Sequence, residues 1–295
     1  MGKINGEYII LQNERFYLKG YKDFANERLK IEDYRGNLES IFTAIHELEK
    51  EKYVHKTIIK CRTENVTSFL SKGYLLEASI PGYFLGSTAF FLCKYHDQNR
   101  YTSAKWIEED QQLEEVWKKD RNTENAGVST SSIRKATTHD AKRLSTFYAG
   151  VFPIYPVPIE DPDYISSQME ENTIFHYLEV NGQIIAAASA EMNMEYRNAE
   201  ITDCATLSSH RKGGSMNNII QSLENELISK RVFCSYSIAR ALSFGMNAVL
   251  HKSGYTYQGR LKNNCYIYDS IEDMNVWYKD LSFHFAEKSA LSAGN

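Results

Sequence analysis

Ala199-Glu-Ile-Thr-Asp-Cys-Ala-Thr-Leu-Ser-Ser-His-Arg-Lys-Gly-Gly-Ser-Met216 joins three local signals in one run. Residues 199–207 are apolar and β-branched enough for a strand, yet they carry two acids, Glu200 and Asp203. Residues 210–214 form a basic, glycine-bearing loop. From Ser215 onward Met216, Ile219, Ile220, Leu223, Leu227 and Ile228 recur at helical spacing and mark one apolar face. Strand, glycine loop and helix start together aim free backbone N–H groups at an anion. Arg211 and Lys212 add positive charge there, and glycine lets the backbone approach closely because no Cβ intervenes. The run predicts a phosphate-binding turn built from Arg211, Lys212, Gly213, Gly214, Ser215 and Met216. Its bland alternative is a surface turn with a solvated Arg-Lys pair.

The 295 residues suffice for two domains or one large one. A hydrophobic content of 42% and a charged content of 24% describe an ordinary globular chain. The net charge of −4 gives no general attraction to nucleic acid or anionic membrane. No apolar run approaches the roughly 20 residues that span a bilayer, and the N-terminal Met-Gly-Lys-Ile-Asn-Gly-Glu7 lacks the apolar core of a signal peptide. Cys61, Cys93, Cys204, Cys234 and Cys265 are odd in number and far apart, which fits neither a disulfide framework nor a zinc spacing. The expectation is a cytoplasmic protein with no metal, no nucleic-acid partner and no membrane partner. A homodimer is left open.

Outward from the opening run, a mixed α/β fold of two domains is expected. The front domain, 1–119, carries a helix over 37–52, a strand over 54–61, and a short helix over 63–72 closed by Gly73. Strands over 74–80 and 88–95 and a charged helix over 103–119 complete it. Residues 120–131 are polar and read as a linker. The back domain, 132–280, starts with a strand over 133–136 and a helix capped at Thr138. The stretch Val151-Phe-Pro-Ile-Tyr-Pro-Val-Pro158 holds three of the five prolines and excludes regular helix. A helix follows Asp161-Pro162. Asn181-Gly182 predicts a hairpin of strands 173–180 and 183–192. After the long helix come a strand over 234–239, a helix over 244–252 and a strand over 255–263. Residues 281–295 read as a tail.

This order, with the loop Arg211-Lys-Gly-Gly-Ser-Met216, resembles the GNAT family of acetyl-CoA-dependent N-acetyltransferases over roughly residues 132–280. Their pyrophosphate loop reads Arg/Gln-x-x-Gly-x-Gly/Ala. Here Lys212 stands where many members carry glycine, and Met216 replaces the final small residue. Three longer phrases are more specific: Gly73-Tyr-Leu-Leu-Glu-Ala-Ser-Ile-Pro-Gly-Tyr-Phe-Leu-Gly86, Ala239-Arg-Ala-Leu-Ser-Phe-Gly-Met-Asn-Ala-Val-Leu-His-Lys-Ser-Gly-Tyr255, and Gly259-Arg-Leu-Lys-Asn-Asn264 followed by Ile271-Glu-Asp-Met-Asn-Val-Trp-Tyr278. They resemble the β-lysine N-acetyltransferases, GNAT members that make Nε-acetyl-β-lysine, a compatible solute. Phe69-Leu-Ser-Lys-Gly-Tyr74 also echoes Val249-Leu-His-Lys-Ser-Gly-Tyr255. The front domain then reads either as a decayed half of the same fold without a phosphate loop, or as a chance similarity of two helix ends.

The resemblance implies acetyl-CoA as co-substrate and a small-molecule amine as acceptor, most simply the ε-amino group of β-lysine, attacking the thioester directly. An ammonium with an unperturbed pKa near 10.4 must first lose its proton, and a carboxylate is the usual base. Glu200 is expected in that role, since the family's catalytic glutamate stands in a similar Ala-Glu-Ile context. Regular alternation puts Asp203 on the opposite face, but a bulge would return it to the same one. Leu250 stands about where many members have an acid tyrosine, which leaves His251 as the candidate acid. Asn247 matches an asparagine that contacts the cofactor arm, and the backbone of Ala205, Thr206 and Leu207 is expected to hold the acyl thioester. Phe152, Tyr155 and Asp161 sit where such enzymes cover the acceptor, with Arg197 or Arg240 available for a carboxylate. Two other readings remain: the same enzyme acting on a polyamine, lysine or protein amine, and a non-catalytic acyl-CoA-binding module.

Overall fold

A computed structural model describes residues 6–121, 133–153, 155–211, 213–267 and 270–282. Lys212, the expected linker from residue 122 on, and the expected tail from residue 283 on lie outside the described residues. The front half runs β1 (Gly6–Gln12), β2 (Phe16–Asp23), β3 (Arg28–Gly36), α1 (Leu38–Glu49), β4 (Lys56–Arg62), α2 (Val66–Leu70), β5 (Leu75–Gly82), β6 (Gly86–Tyr95), α3 (Gln98–Tyr101) and α4 (Trp106–Trp117). The back half runs β7 (Ile133–Lys135), α5 (Ala141–Val151), α6 (Pro162–Glu170), β8 (Thr173–Val180), β9 (Gln183–Asn193), β10 (Asn198–Thr206), α7 (Ser215–Ser229), β11 (Cys234–Arg240), α8 (Phe244–Lys252), β12 (Thr256–Ile267) and β13 (Ser270–Asp280).

The described strands form one mixed sheet in the order β1-β2-β3-β4-β6-β5-β12-β13-β11-β10-β9-β8-β7. Two pairs are parallel, β3 with β4 and β10 with β11, each joined by a crossover helix. The apolar stripe of α7 explains its packing: Ile219, Ile220, Leu223 and Leu227 are fully buried against Leu178, Ala186, Ala188 and Ala199. Each such side chain stabilises the fold by about 1.5–3 kcal/mol. The run of alanines in β9 keeps the sheet surface low, so helices lie close on both faces. In the front half α1 buries Ile41 and Ile45 over Leu18, Leu29, Ile31 and Ile59.

Several elements depart from the sequence reading. β1, β2 and β3 are strands where the sequence predicted none, although Lys19, Lys30 and Glu32 alternate with the buried Leu18, Leu29 and Ile31; the high charge of these segments masks the pattern. β13 likewise closes the back half, paired with both β11 and β12. The first back-half helix is led in by a 3-10 turn over Thr138–Asp140 that is capped by Thr137, not Thr138, in a reciprocal box: Asp140 Oδ2 accepts from the Thr137 amide at 3.0 Å. Trp106 and Trp117 stay partly exposed, Trp106 beneath the Arg260 guanidinium at 4.6 Å and Trp117 edge-on to Tyr257.

The two halves of the sheet meet at a single ladder pair, Gly259 with Ala78. Gly259 has φ +129°, and a Cβ there would lie 2.3 Å from the Glu77 carbonyl oxygen and 2.7 Å from Ala78 Cα. Both obstacles are backbone. Gly259→Ala is therefore expected to cost about 2–4 kcal/mol and several degrees of Tm in a thermal melt. An unchanged Tm would show that this junction does not hold the halves together.

Candidate active site

The parallel ladder between β10 and β11 holds for three pairs, Asn198 with Cys234, Ala199 with Ser235 and Glu200 with Tyr236, and then stops. At the crotch the Ser237 hydroxyl donates to the Ile201 carbonyl at 2.7 Å. Beyond it the strands part, while β10 stays paired with β9 as far as Thr206. A cavity of about 380 Å³ opens along this fork and continues to the front half, where Lys30, Glu32 and Lys60 line it.

Glu200 and Asp203 both line that cavity. Alternation alone would separate them, but the β9–β10 register slips between Thr202 and Ala205, and Asp203 takes φ +51°. The bulge turns its carboxylate to the Glu200 side. Burial raises the Glu200 pKa, partly opposed by Lys60, Lys30 and a hydrogen bond from the Tyr236 hydroxyl. Burial also raises that of Asp203, against donors from Ser189 Oγ at 2.6 Å and Tyr155 OH at 2.9 Å. Glu191 faces Glu200 directly across the ladder. Its carboxyl is open to the cavity but walled in by protein, and desolvation followed by the Glu200 and Asp203 charges pushes its pKa up.

The turn before α7 matches an anion cradle. Gly214 is the N-cap with φ +75°, and no side chain caps the first amides of this 15-residue helix. Gly213 and Gly214 are exposed, Ser215 is buried, and Met216 packs into the core, so only its backbone faces the turn. Arg211 Nε donates to the Thr206 carbonyl at 3.3 Å. The Leu207 amide is taken by Ile185 on the β9 side, so alternation turns the Thr206 amide toward the open fork, with that of Ala205 facing β9. An uncapped helix start beside a strand with unpaired edge groups fits the pyrophosphate and pantetheine amides of acetyl-CoA.

Four expected residues lie elsewhere. His251 does not line the cavity: its Nε2 meets the Lys119 carbonyl at 3.1 Å and its ring packs edge-on against Trp277. Leu250 beside it is fully buried. Asn247 is a buried brace, donating to the carbonyls of Arg240 at 2.9 Å and Ser243 at 2.8 Å while Trp277 Nε1 and Asn275 donate to its oxygen. Asp161 caps α6 through the Asp163 amide at 2.9 Å. Arg197 donates to the Lys230 carbonyl, and Arg240, though it lines the cavity, is held by both oxygens of Glu272 at 2.7 Å. Phe152 and Tyr155 do line the cavity and stack at 4.6 Å.

The sequence reading missed Glu191, Tyr236, Lys30, Glu32 and Lys60. The Asn181-Gly182 hairpin, counted forward from its turn, would have placed Glu191 beside the opening strand; the front-half residues carry no local signal. Among the described residues no group of three His, Cys, Asp or Glu side chains is arranged to hold a metal ion, and no helix is long and apolar enough to cross a membrane.

No protein-family model matches the chain. Over 259 residues it is 36% identical to the N-acetyltransferase YodP of Bacillus subtilis, covering 88% of this chain and 94% of that one. Over 270 residues it is 32% identical to the beta-lysine N(6)-acetyltransferase of Methanosarcina mazei, covering 84% of this chain and 100% of that one. Among solved structures, a ribosomal-protein-alanine N-acetyltransferase from Brucella melitensis covers 50% of this chain and 98% of its own at 19% identity and a TM-score of 0.44. Relatives this similar over nearly their whole length establish that the chain belongs to the GNAT family of acetyl-CoA-dependent N-acetyltransferases.

Proposed function

We propose that the protein transfers the acetyl group of acetyl-CoA to the ε-amino group of β-lysine, giving Nε-acetyl-β-lysine. The carrying observation is a cavity at the β10–β11 fork lined by the carboxylates of Glu191, Glu200 and Asp203; β10, which carries two of them, leads on through the glycine turn into the uncapped start of α7. The acceptor name comes from the relatives from Methanosarcina mazei and Methanococcus maripaludis, both beta-lysine N(6)-acetyltransferases.

Acetyl-CoA supplies the acyl group already activated as a thioester. Glu200 takes the proton from the arriving ammonium, and its burial makes it a stronger base than a solvated glutamate. The Tyr236 hydroxyl fixes its orientation. Asp203, held by Ser189 and Tyr155, offers a second negative charge that keeps the amine in line. The Thr206 amide on the open strand edge faces the charge that develops on the acetyl oxygen. Gly213, Gly214, Ser215 and Met216 present backbone amides to the pyrophosphate, with Arg211 alongside. The nitrogen–carbon bond forms as the carbon–sulfur bond breaks, without a covalent enzyme adduct.

Glu200→Gln is expected to lower kcat by about 10²–10⁴-fold while acetyl-CoA binding stays as it was. Thiol release with β-lysine, α-lysine, spermidine and a lysine peptide measures this; faster turnover of another amine would replace the acceptor. Because the base works deprotonated and its pKa is raised, activity rises with pH. The acid limb of kcat/KM should lie above the ~4.3 of an ordinary glutamate, and a limb at or below that value would remove Glu200 from the role. Gly214→Val forces a β-branched residue to φ +75° and should weaken acetyl-CoA about tenfold or more. Equal affinity by calorimetry would discard the loop assignment.

A further inference from the structure

The front half repeats the plan of the back half. β1, β2, β3, α1, β4, α2, β5 and β6 follow the same connection order as β8, β9, β10, α7, β11, α8, β12 and β13. Strand directions agree as well: β3–β4 is parallel like β10–β11, and β6 pairs antiparallel with β4 and β5 as β13 does with β11 and β12.

The agreement extends to single residues. Glu27 and Arg197, each just before its strand, have φ +50° and +52°. Each carbonyl accepts the amide before the partner strand, from His55 and from Phe233, both at 2.9 Å. Tyr74 and Tyr255 close their helices the same way, donating to Phe69 and Leu250. The register slips between Leu76 and Ala78 in one half and between Tyr257 and Gly259 in the other. Counting on from the two tyrosines, Ala78 and Gly259 are equivalent positions. They are also the pair that joins the halves, as a twofold axis through the junction requires.

This equivalence decides what the front half contributes. The parallel ladders open with Arg28 opposite Lys56 and with Asn198 opposite Cys234; two residues on, Lys30 stands opposite Ile58 and Glu200 opposite Tyr236. Lys30 therefore occupies the counterpart of the Glu200 position, and both face one cavity from opposite sides of the axis. The front half has no glycine turn for phosphate: β3 passes at once into Asn37, whose own side chain caps α1 through the Ser40 amide at 2.9 Å.

The other described cations lining the cavity are firmly engaged. Arg28 is held by Asp23 at 2.8 Å and the Asn264 carbonyl at 2.6 Å, Lys60 by Glu32 and Tyr83, and Arg240 by Glu272. Lys30 makes a looser ion pair, 3.5 Å to Glu32. Glu191 forms no ion pair or side-chain hydrogen bond among the described residues. We propose that the front half is a second acetyltransferase unit turned into the acceptor-binding face, in which Lys30 takes the acceptor's carboxylate and Glu191 its second ammonium. The inference rests on the amino-acid acceptor proposed above and makes the preferred substrate a zwitterion with a distal amine, not a plain diamine.

The test compares kcat/KM for β-lysine with that for 1,4-diaminopentane, which keeps both amines and lacks the carboxylate. The wild type should prefer β-lysine. Lys30→Met should shrink that preference on the order of 10–100-fold, the loss expected for one charge-assisted hydrogen bond, and Lys30→Arg should restore part of it. Glu191→Gln should raise KM for both acceptors alike, since both carry the second ammonium. A Lys30→Met enzyme that keeps the wild-type preference overturns the lysine's role, and unchanged KM values in Glu191→Gln overturn the glutamate's. A wild type that acetylates another amine but not β-lysine removes the acceptor reading and this inference with it.

Discussion

The parallel pairing of β10 with β11 ends at Glu200, and the chemistry of the site follows from that ending. Paired strands expose no edge groups between them; strands that part expose both edges to whatever fills the gap. Here Ser237 satisfies the Ile201 carbonyl and Arg211 that of Thr206. The remaining edge faces the cavity. The buried stripe of α7 holds the fork open from below, because Ile219, Leu223 and Leu227 fix the helix over the sheet and thereby fix where its uncapped start points.

The second constraint is charge. Glu191, Glu200 and Asp203 converge on one partly dry cavity, an arrangement that like charges resist. Lys30 and Lys60 relieve it from the front half, and they appear among the influences that lower the pKa of Glu191 and Glu200. Lys60 is itself fixed by Glu32: burial would raise the pKa of that carboxyl, yet Lys60 and Lys30 hold it down at about 2. The charge on Glu200 thus depends on residues far away in sequence. A back half on its own would carry the acids without the lysines that balance them.

Much of the back half was legible because its signals are local. The hairpin at Asn181-Gly182 needs only its turn and the alternation either side, and β8 and β9 form where those predict. α8 spans the expected Phe244–Lys252. The glycine turn, the basic residues and the apolar stripe of α7 are neighbours in sequence, so the glycine-capped helix start could be read directly. β1, β2 and β3 could not, since their charges are paid off across strands rather than along them: Lys60 meets Glu32, and Arg62 meets Asp33 at 3.1 Å. Asn247 and His251 illustrate another limit. Motif position suggested cofactor and proton-transfer roles, but burial against Trp277 gives both side chains partners in the core.

By itself the sequence determined the order of elements in the back half up to β12, the glycine turn before α7 and the two acids of the opening strand, because helical period, strand alternation and turn chemistry act over a few residues. Only the tertiary structure decided that Glu200 and Asp203 share a face, since that rests on a bulge set by the β9 register. It alone placed Glu191 opposite Glu200 and brought Lys30 across the junction to the same cavity. Those placements depend on backbone hydrogen bonds and packing between segments far apart in the chain, and such contacts leave no periodic trace in the residues they join.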